Sequence, residues 1–563
     1  MGARKLHPPA RVAEYTAAGW WGDDTLDALF RERVREAPDR LAIVDPANKA
    51  DLVGRPPRRL TWAELDAEAG RLAAVLLRHG LGQGDVVGVQ LPNTVEQVAL
   101  YLACWRLGVI VSPLPVQYRE HETTQLARLA GFVAHVTVAD FGGRPIAAEV
   151  AGLDLPDLRL VLAYGDDLPP GVVSLDAELA EPCDVSEVAA YAAAHPADPN
   201  DCVTICWTSG TESTPKGVPR CHNDWLAIAA VCRDAPRMTR DDVLLNPFPV
   251  VNMAGFAGIF LPWLTVGCVF VQHHPFDLPT FLGQVQRERV TYTVAAPALL
   301  NMLLAREDVL KTVDISSLTR IGSGSAPLSP AMVRGWQERH GIGVINFFGS
   351  NEGAGMLTDP YEVPDPDDRA RYFPRYGVPG VRWAARANEW TTMRVVDLLT
   401  EEDITEPGRP GELRLKGPQI FAGYLNGSEL ASPFDERGFL KSGDIFEIAG
   451  DRGQFIRYVD RAKDLVIRGG MNIAAAELEG LIAQHPAVTE VAVVGYPDQV
   501  LGERICAVAV LAEGATLTLE ELVEFLRGLH IASYKLPERL EIRDALPRNP
   551  VGKILKRELR ASV

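Results

Sequence analysis

Thr208, Ser209, Gly210, Thr211, Glu212, Ser213 and Thr214 run directly into Pro215, Lys216 and Gly217. Small residues let backbone N–H groups approach a ligand, hydroxyls donate hydrogen bonds, and one lysine adds a fixed charge. Together these make the chemistry of a polyphosphate cradle. The spacing is not that of a Walker A loop. No glycine precedes the lysine, and Gly217 stands where a Ser or Thr would ligate magnesium, which disfavours a P-loop kinase or ATPase. The same composition also describes a polar surface loop between two elements.

Such a loop needs a strand to carry it. Val203, Ile205 and Trp207 alternate with smaller residues, the pattern of a buried strand. Upstream, Thr61 and Glu64 form a capping-box pattern, and Leu65, Ala69, Leu72 and Leu76 then share a helical face that Gly80 and Gly82 end. Val86 to Leu91 reads as a strand. Asn93 or Thr94 caps a second helix with Val98, Leu102 and Trp105 on its apolar face, ending at Gly108 before a strand from Val109 to Val111. Helices between continuous apolar strands predict parallel sheets covered on both faces. Ala151 to Pro199 reads as a connecting region. Strands follow at Leu244–Val250, Gly267–Val271, Tyr292–Ala295 and Ile345–Phe348. Met253 to Val271 has no charged residue, but Pro262 and Gly267 interrupt it, so a buried helix and strand fit better than a membrane span.

From about Pro360 to Asp397 the chain is rich in Pro, Arg and aromatics, and Glu412–Lys416 alternates like a strand in an antiparallel region. Beyond Asp460 the segments shorten to a helix at Ala475–Gln484, strands at Val488–Val494 and Ile505–Leu511, and a helix at Leu519–Leu529. The expected fold class is α/β. A large N-terminal domain, residues 1–459, has parallel-rich sheets and helices plus a β-rich subdomain, and residues 460–563 form a small α+β domain.

A chain of 563 residues is too long for one core. Its net charge of −18 argues against a nucleic-acid partner, which needs a basic patch to neutralise phosphates. Eight cysteines are scattered without metal-like clustering, as expected of free thiols in a reducing cytoplasm. The N-terminus has no apolar core of the kind a signal peptide carries.

With these segments placed, Thr208–Val218 (TSGTESTPKGV) resembles the phosphate-loop signature of the adenylate-forming superfamily, which includes acyl- and aryl-CoA synthetases, luciferases and nonribosomal adenylation domains. Phe348–Glu352 (FGSNE) is similar to its aromatic-Gly-x-Thr-Glu motif and Ser442–Asp444 to its TGD. Asp460–Asp464 with Arg468–Ile473 resembles its hinge and glycine loop, and Pro547–Lys553 its catalytic lysine loop. Each motif alone is weak; in this order, across nearly the whole chain, they are specific. The opening segment and the absence of a carrier domain look most like stand-alone acyl-CoA synthetases.

The resemblance implies a carboxylic acid, ATP, Mg²⁺ and CoA as ligands, with no nucleic acid and no integral membrane segment. It places Lys553 on the charge that develops at the α-phosphate. Thr208, Ser209, Gly210, Thr211 and Lys216 would hold the β- and γ-phosphates, with Glu352 and Thr211 at magnesium. Ser325, Ala326 and Pro327 would form one side of the adenine slot with Phe348 stacked on the ring, Phe347 and Gly349 would also bind the nucleotide, and Asn351 would lie near the α-phosphate. Asp444 and Arg461 would meet the ribose. Asn252, Phe256, Gly324 and Asn346 would line the acyl pocket. Lys463 would be the hinge of a mobile C-terminal domain, and Gly469, Gly470 and Lys535 would line the CoA tunnel. Taken singly, each has a plainer reading: Glu352 or Asp444 as a solvated loop carboxylate, Arg461 in a surface ion pair, Lys553 in an ordinary turn.

The chain departs from the family's pattern at Ser213, often Gly; at Asn351, usually Thr; at Asp460, commonly Gly; and at Asn252, where His or an aromatic residue is usual. No Lys or Arg lies between Pro249 and Leu261 to pair with a second carboxylate, and no Asp to meet an amino group. The expected substrate is therefore a bulky, largely apolar acid: medium-chain, alicyclic, terpenoid or aromatic. Asn252 would bond a hydroxyl or carbonyl of that acid or a fixed water, or would only cap backbone groups in its own loop. The rival activities are loading of a carrier protein and a catalytically dead nucleotide-binding protein.

Overall fold

A computed structural model of the chain describes residues 5–208, 215–427, 431–468, 471–529, 531–548 and 554–563. The chain divides into two compact units: Met1–Thr208, Pro215–Thr392 and Lys416–Pro433 form the first, and Met393–Leu415 with Phe434–Val563 belong to the second.

The first unit holds two sheets. In one, the strands run in the order Val172–Ser174, Leu160–Tyr164, Ala134–Val138, Val86–Val89, Ile110–Pro113, Cys202–Trp207 and Gly217–Cys221. All neighbours are parallel except the last pair. The other has eight strands. Its middle runs Gly343–Gly349, Arg320–Gly324, Tyr292–Val294, Val243–Asn246, Val269–Gln272 and Leu41–Val44 in parallel, and Gly355–Thr358 and Arg59–Thr61 close its edges antiparallel. The region from Ala151 to Pro199 is more regular than its Ala, Asp and Pro content suggests: it supplies two of these strands and the helices Leu175–Ala180 and Val185–Ala194.

Local sequence explains several boundaries. The Trp62–Arg78 helix opens with the expected capping box: Glu64 N donates to Thr61 Oγ1 at 3.2 Å and Thr61 N to Glu64 Oε2 at 2.8 Å. The Val95–Arg106 helix differs from expectation. The Thr94 side chain makes no cap; Asp45 Oδ1, fifty residues away, accepts the Val95 N–H at 2.8 Å. Asp45 belongs to a buried ionic cluster. Lys49 Nζ pairs with Asp45 at 2.6 Å and with Glu96 at 2.7 Å, and Arg58 meets Glu68 at 2.6 Å and Glu96 at 3.0 Å.

The uncharged stretch after Met253 is two short helices around a π-helical turn, Phe256–Phe260, followed by the Val269–Gln272 strand. Its Phe256, Phe260 and Trp263 pack with Tyr101, Trp105 and Trp62 in an aromatic core. Among the described residues no helix is long and apolar enough to cross a membrane.

The second unit also holds two sheets. One is antiparallel, with Phe455–Arg461, Leu440–Ala449 and Pro410–Lys416 in sequence. The other is built on the long pair Val488–Asp498 and Gly502–Leu511, with Arg539–Ile542 parallel beside it. Helices Ala475–Ile482 and Leu519–Gly528 bury Leu478, Ile482, Leu522 and Leu526 against Val493, Ile505 and Ala507 on one face of that sheet.

Candidate active site

The phosphate-loop signature begins where the Cys202–Trp207 strand ends and returns as the Gly217–Cys221 strand, with Trp207 opposite Gly217. Thr208 N donates to Lys216 O at 3.1 Å, so the two ends are pinned together. Ser209, Gly210 and Thr211 lie outside the described residues.

A segment that sequence reading passed over, residues 419–425, joins this loop to the Glu352 turn. Leu425 N donates to Gly217 O at 2.9 Å, and Phe421 N donates to Glu352 O at 3.0 Å. Between these anchors the Tyr424 hydroxyl donates to Glu352 Oε1 at 2.8 Å, and Lys216 Nζ lies 5.4 Å from the Tyr424 ring centroid. Gly353, at φ +101°, has no room for a side chain, because a Cβ there would sit 2.0 Å from the Gln419 carbonyl oxygen. That carbonyl accepts Arg220 Nη1 at 3.0 Å. Arg220 is wholly buried, its guanidinium 4.7 Å over the Trp225 ring, and burial pulls its pKa down.

The Arg320–Gly324 and Gly343–Gly349 strands deliver the next group at their C-terminal ends, where ligands of parallel α/β sheets collect. Ser325, Ala326 and Pro327 are exposed, and Ser325 holds a left-handed backbone at φ +70°. Phe348 lies 6.0 Å from Phe373, and Gly349 is exposed. Phe347, expected beside Phe348 at the nucleotide, instead packs its ring over Gly322: a Cβ on Gly322 would come within 2.9 Å of Phe347 Cζ and 2.6 Å of the Tyr292 hydroxyl. A Cβ on Gly324 would instead meet the backbone carbonyl and Cβ of Phe347. Successive strand residues face opposite sides, so Phe347 and Phe348 cannot share one ligand face. Asn346 takes the other side from Phe347. It is buried and its Nδ2 donates to Arg369 O at 3.1 Å and Ala370 O at 3.0 Å.

Asn252 sits at the start of the Met253–Gly255 helical turn, and its Oδ1 accepts Ala254 N at 3.2 Å. The capping alternative is therefore realised for the oxygen, while among the described residues Nδ2 has no partner. Asn93 fixes the preceding loop: Nδ2 donates to Phe248 O at 2.8 Å and Oδ1 accepts Val250 N at 3.1 Å. Asn351 Oδ1 accepts Met253 N at 3.0 Å and its Nδ2 donates to Trp207 O at 3.1 Å. Phe256 has no exposed surface and stacks on Trp225 at 4.7 Å, so it belongs to the core.

In the second unit Asp444 and Arg461 are cross-strand neighbours, with Nε 3.5 Å from Oδ1. Asp460 is buried and accepts Arg461 N at 2.7 Å and Ala476 N at 3.1 Å; burial raises its pKa. Lys463 is exposed in the turn Ala462–Asp464, and Asp464 pairs with Arg560 at 2.8 Å. Lys535 pairs with Glu477 at 2.6 Å. Gly469, Gly470 and Lys553 lie outside the described residues. The flanks of the Lys553 loop meet in a bridge between Arg548 and Ile554, and Lys556 pairs with Glu479 at 2.8 Å.

Magnesium takes one or two carboxylates plus phosphate oxygens and water. Glu352 fits: its side chain is partly exposed, and the Tyr424 bond engages one of its carboxylate oxygens. The His7, Cys221 and Asp224 group does not. It is buried and includes a soft thiol, and its donors serve one another, with His7 Nε2 2.8 Å from Asp224 Oδ1 and Asp224 N donating to Cys221 Sγ at 3.4 Å.

The α/β fold and the order of the motifs together point to one class of enzyme. Residues 30–425 match the family model of the AMP-binding enzymes, and residues 477–553 match the model of the AMP-binding enzyme C-terminal domain. The chain belongs to this family, the adenylate-forming superfamily. It is 34% identical to a 2-hydroxy-7-methoxy-5-methyl-1-naphthoate–CoA ligase of Streptomyces carzinostaticus, over 99% of this chain and 96% of that protein. It is 33% identical to the salicyl-AMP ligase / salicyl-S-ArCP synthetase of Mycobacterium tuberculosis, over 98% of this chain and 93% of that protein. The solved structure of ATP-bound MatB from Rhodopseudomonas palustris superposes with a TM-score of 0.78 at 29% identity, covering 96% of this chain and 99% of that one. The activity of the family is ATP-dependent adenylate formation in acid–thiol ligation.

Proposed function

We propose that this chain is an AMP-forming acid–CoA ligase for a bulky, largely apolar acid that carries an oxygen near its carboxylate. A carboxylate oxygen attacks the α-phosphorus of ATP and pyrophosphate leaves. The CoA sulfur then attacks the acyl carbon and AMP leaves. Catalysis of the first step is mostly positioning and charge stabilisation. Lys216 and the hydroxyls of the loop hold the β- and γ-phosphates, Glu352 takes magnesium, Asp444 and Arg461 meet the ribose, and Lys553 stabilises charge at the α-phosphate. Residues 460–563 rotate about Lys463 between the steps, bringing Gly469, Gly470 and Lys535 to the pantetheine.

The observation that carries this reading is the convergence of Lys216, Tyr424 and Glu352, with Asn351 tying the end of the phosphate-loop strand to the acid loop. The Asn252 amide N–H₂, with its oxygen already engaged, is a donor suited to a hydroxyl or carbonyl of the acid. Support comes also from relatives named for a hydroxylated naphthoate and for salicylate. An acid panel assayed by pyrophosphate exchange tests the substrate: hydroxylated aryl acids should exceed acetate and amino acids, and the reverse order would sink the pocket reading.

A second reading, loading of a carrier protein, is favoured by one observation. Lys535, the basic residue expected to serve CoA, is engaged with Glu477. Thioester formation with CoA and with a phosphopantetheinylated carrier should be compared; transfer to the carrier only would select this alternative.

A further inference from the structure

The Tyr424 side chain touches both charged residues at the phosphate end of the site. Its hydroxyl donates to Glu352 Oε1 at 2.8 Å, and its ring lies beneath the Lys216 ammonium at 5.4 Å. Its own place is set independently of those contacts. The backbone on either side is bonded to Glu352 O through Phe421 N and to Gly217 O through Leu425 N, and Phe421 packs edge-on against the Tyr424 ring at 5.0 Å. The segment is backed in turn by Gln419 O, held by the buried Arg220. A tyrosine fixed on both flanks is a rigid reference point for two longer, more flexible side chains.

The chemistry of the two contacts differs. A hydroxyl donated to one carboxylate oxygen removes the freedom of Glu352 to rotate and aims the other oxygen. An aromatic face attracts an ammonium without neutralising it, so Lys216 is placed while keeping its full charge for phosphate. A carboxylate in place of the ring would hold the lysine too, but would cancel that charge. A phenylalanine would place the lysine and leave Glu352 loose.

From this geometry we infer that Tyr424 is a positioning residue for the metal–triphosphate end of the site. Its hydroxyl sets Glu352 for a divalent cation, and its ring sets Lys216 for phosphate. The inference rests on the metal role proposed for Glu352. It separates two effects in one side chain: Tyr424→Phe removes only the cation-linked part, and Tyr424→Leu removes both.

The test is calorimetric binding of α,β-methylene-ATP, which the enzyme cannot turn over at the α-phosphorus, in excess Mg²⁺ and in EDTA. Glu352→Gln serves as reference and circular dichroism as the folding check. Tyr424→Phe should keep wild-type affinity in EDTA and lose most of the tightening that Mg²⁺ brings, about 10-fold, in step with the loss of a charge-assisted hydrogen bond. Tyr424→Leu should weaken binding in EDTA as well, about 3-fold or more. If Glu352→Gln abolishes the Mg²⁺ effect while Tyr424→Phe retains it, the positioning role is overturned and the metal role stands. If Glu352→Gln itself leaves the Mg²⁺ effect intact, the metal role of Glu352 falls and the hydroxyl part of the inference falls with it. Equal affinities of Tyr424→Leu and wild type in EDTA would overturn the ring's part.

Discussion

Asn351 accepts the Met253 backbone N–H on its side-chain oxygen at 3.0 Å, which ties the turn after the Gly343–Gly349 strand to the first residue of the acid-loop helix. The same amide donates to the Trp207 carbonyl at 3.1 Å, at the last residue before the phosphate loop. One side chain thus ties two loops together.

Asn351→Ala should therefore damage both at once. Each released backbone group is partly buried, and leaving such a group unpaired costs about 1–3 kcal/mol. The KM values for ATP and for the acid should rise together, with kcat/KM in pyrophosphate exchange falling about 10- to 100-fold. A rise confined to one substrate would show that the clamp is not shared.

Asn252→Ala is expected to change selectivity more than rate. Assayed against matched acids with and without one oxygen substituent, the variant should lose about 10-fold of the wild-type preference for the oxygenated acid. An unchanged ratio would leave Asn252 with its local capping bond to Ala254 and nothing more.

Lys553→Ala should abolish adenylation and spare thioester formation from supplied acyl-adenylate, since only the first step develops charge at the α-phosphate. Equal loss in both half-reactions, in a folded protein, would falsify the role proposed for this lysine.

His135 gives a pH prediction. It lies wholly buried in the Ala134–Val138 strand, neither ring nitrogen has a partner among the described residues, and burial pushes its pKa down to about 3. The folded chain keeps the ring neutral, whereas the unfolded chain binds a proton below about pH 6.5. The stability contribution is present above that pH and is lost as pH falls toward 3, by about 1.4 kcal/mol per unit. His135→Met should lessen the fall in stability between pH 7 and pH 5 by about 2 kcal/mol, read from urea midpoints. Identical pH profiles for the two proteins would mean that His135 takes up its proton as readily in the folded chain as in the unfolded one.

Local signals in the sequence carry the architecture well. The Thr61–Glu64 capping box, the strand that ends at Trp207 and the pairing of Asp444 with Arg461 depend on residues close in the chain or on motifs read as units. What escapes is contact at long separation. Tyr424 reads as one aromatic residue in a Gly- and Asn-bearing loop, and nothing near it reports that Glu352, seventy-two residues earlier, accepts its hydroxyl. Asn93 reads as a helix cap, yet its amide holds a loop that begins at Phe248. The surroundings of Phe347 and Asn346 were hidden for a different reason: strand alternation fixes which neighbours share a face, and a motif read as a string does not show it.

The buried cluster of Lys49, Arg58, Asp45, Glu68 and Glu96 has a consequence for how this sequence can change over time. Each charge is hydrogen-bonded to another member, and Asp45 also caps the helix that carries Glu96. Removing Lys49 leaves the Asp45 carboxylate in the interior without a cation, at a cost of about 3–5 kcal/mol, a large share of a domain's whole stability. Substitution of Lys49 alone is therefore strongly opposed, whereas its exchange together with Asp45 and Glu96 for apolar residues of similar volume is open. A homologue that lacks the lysine should also lack the carboxylates around it.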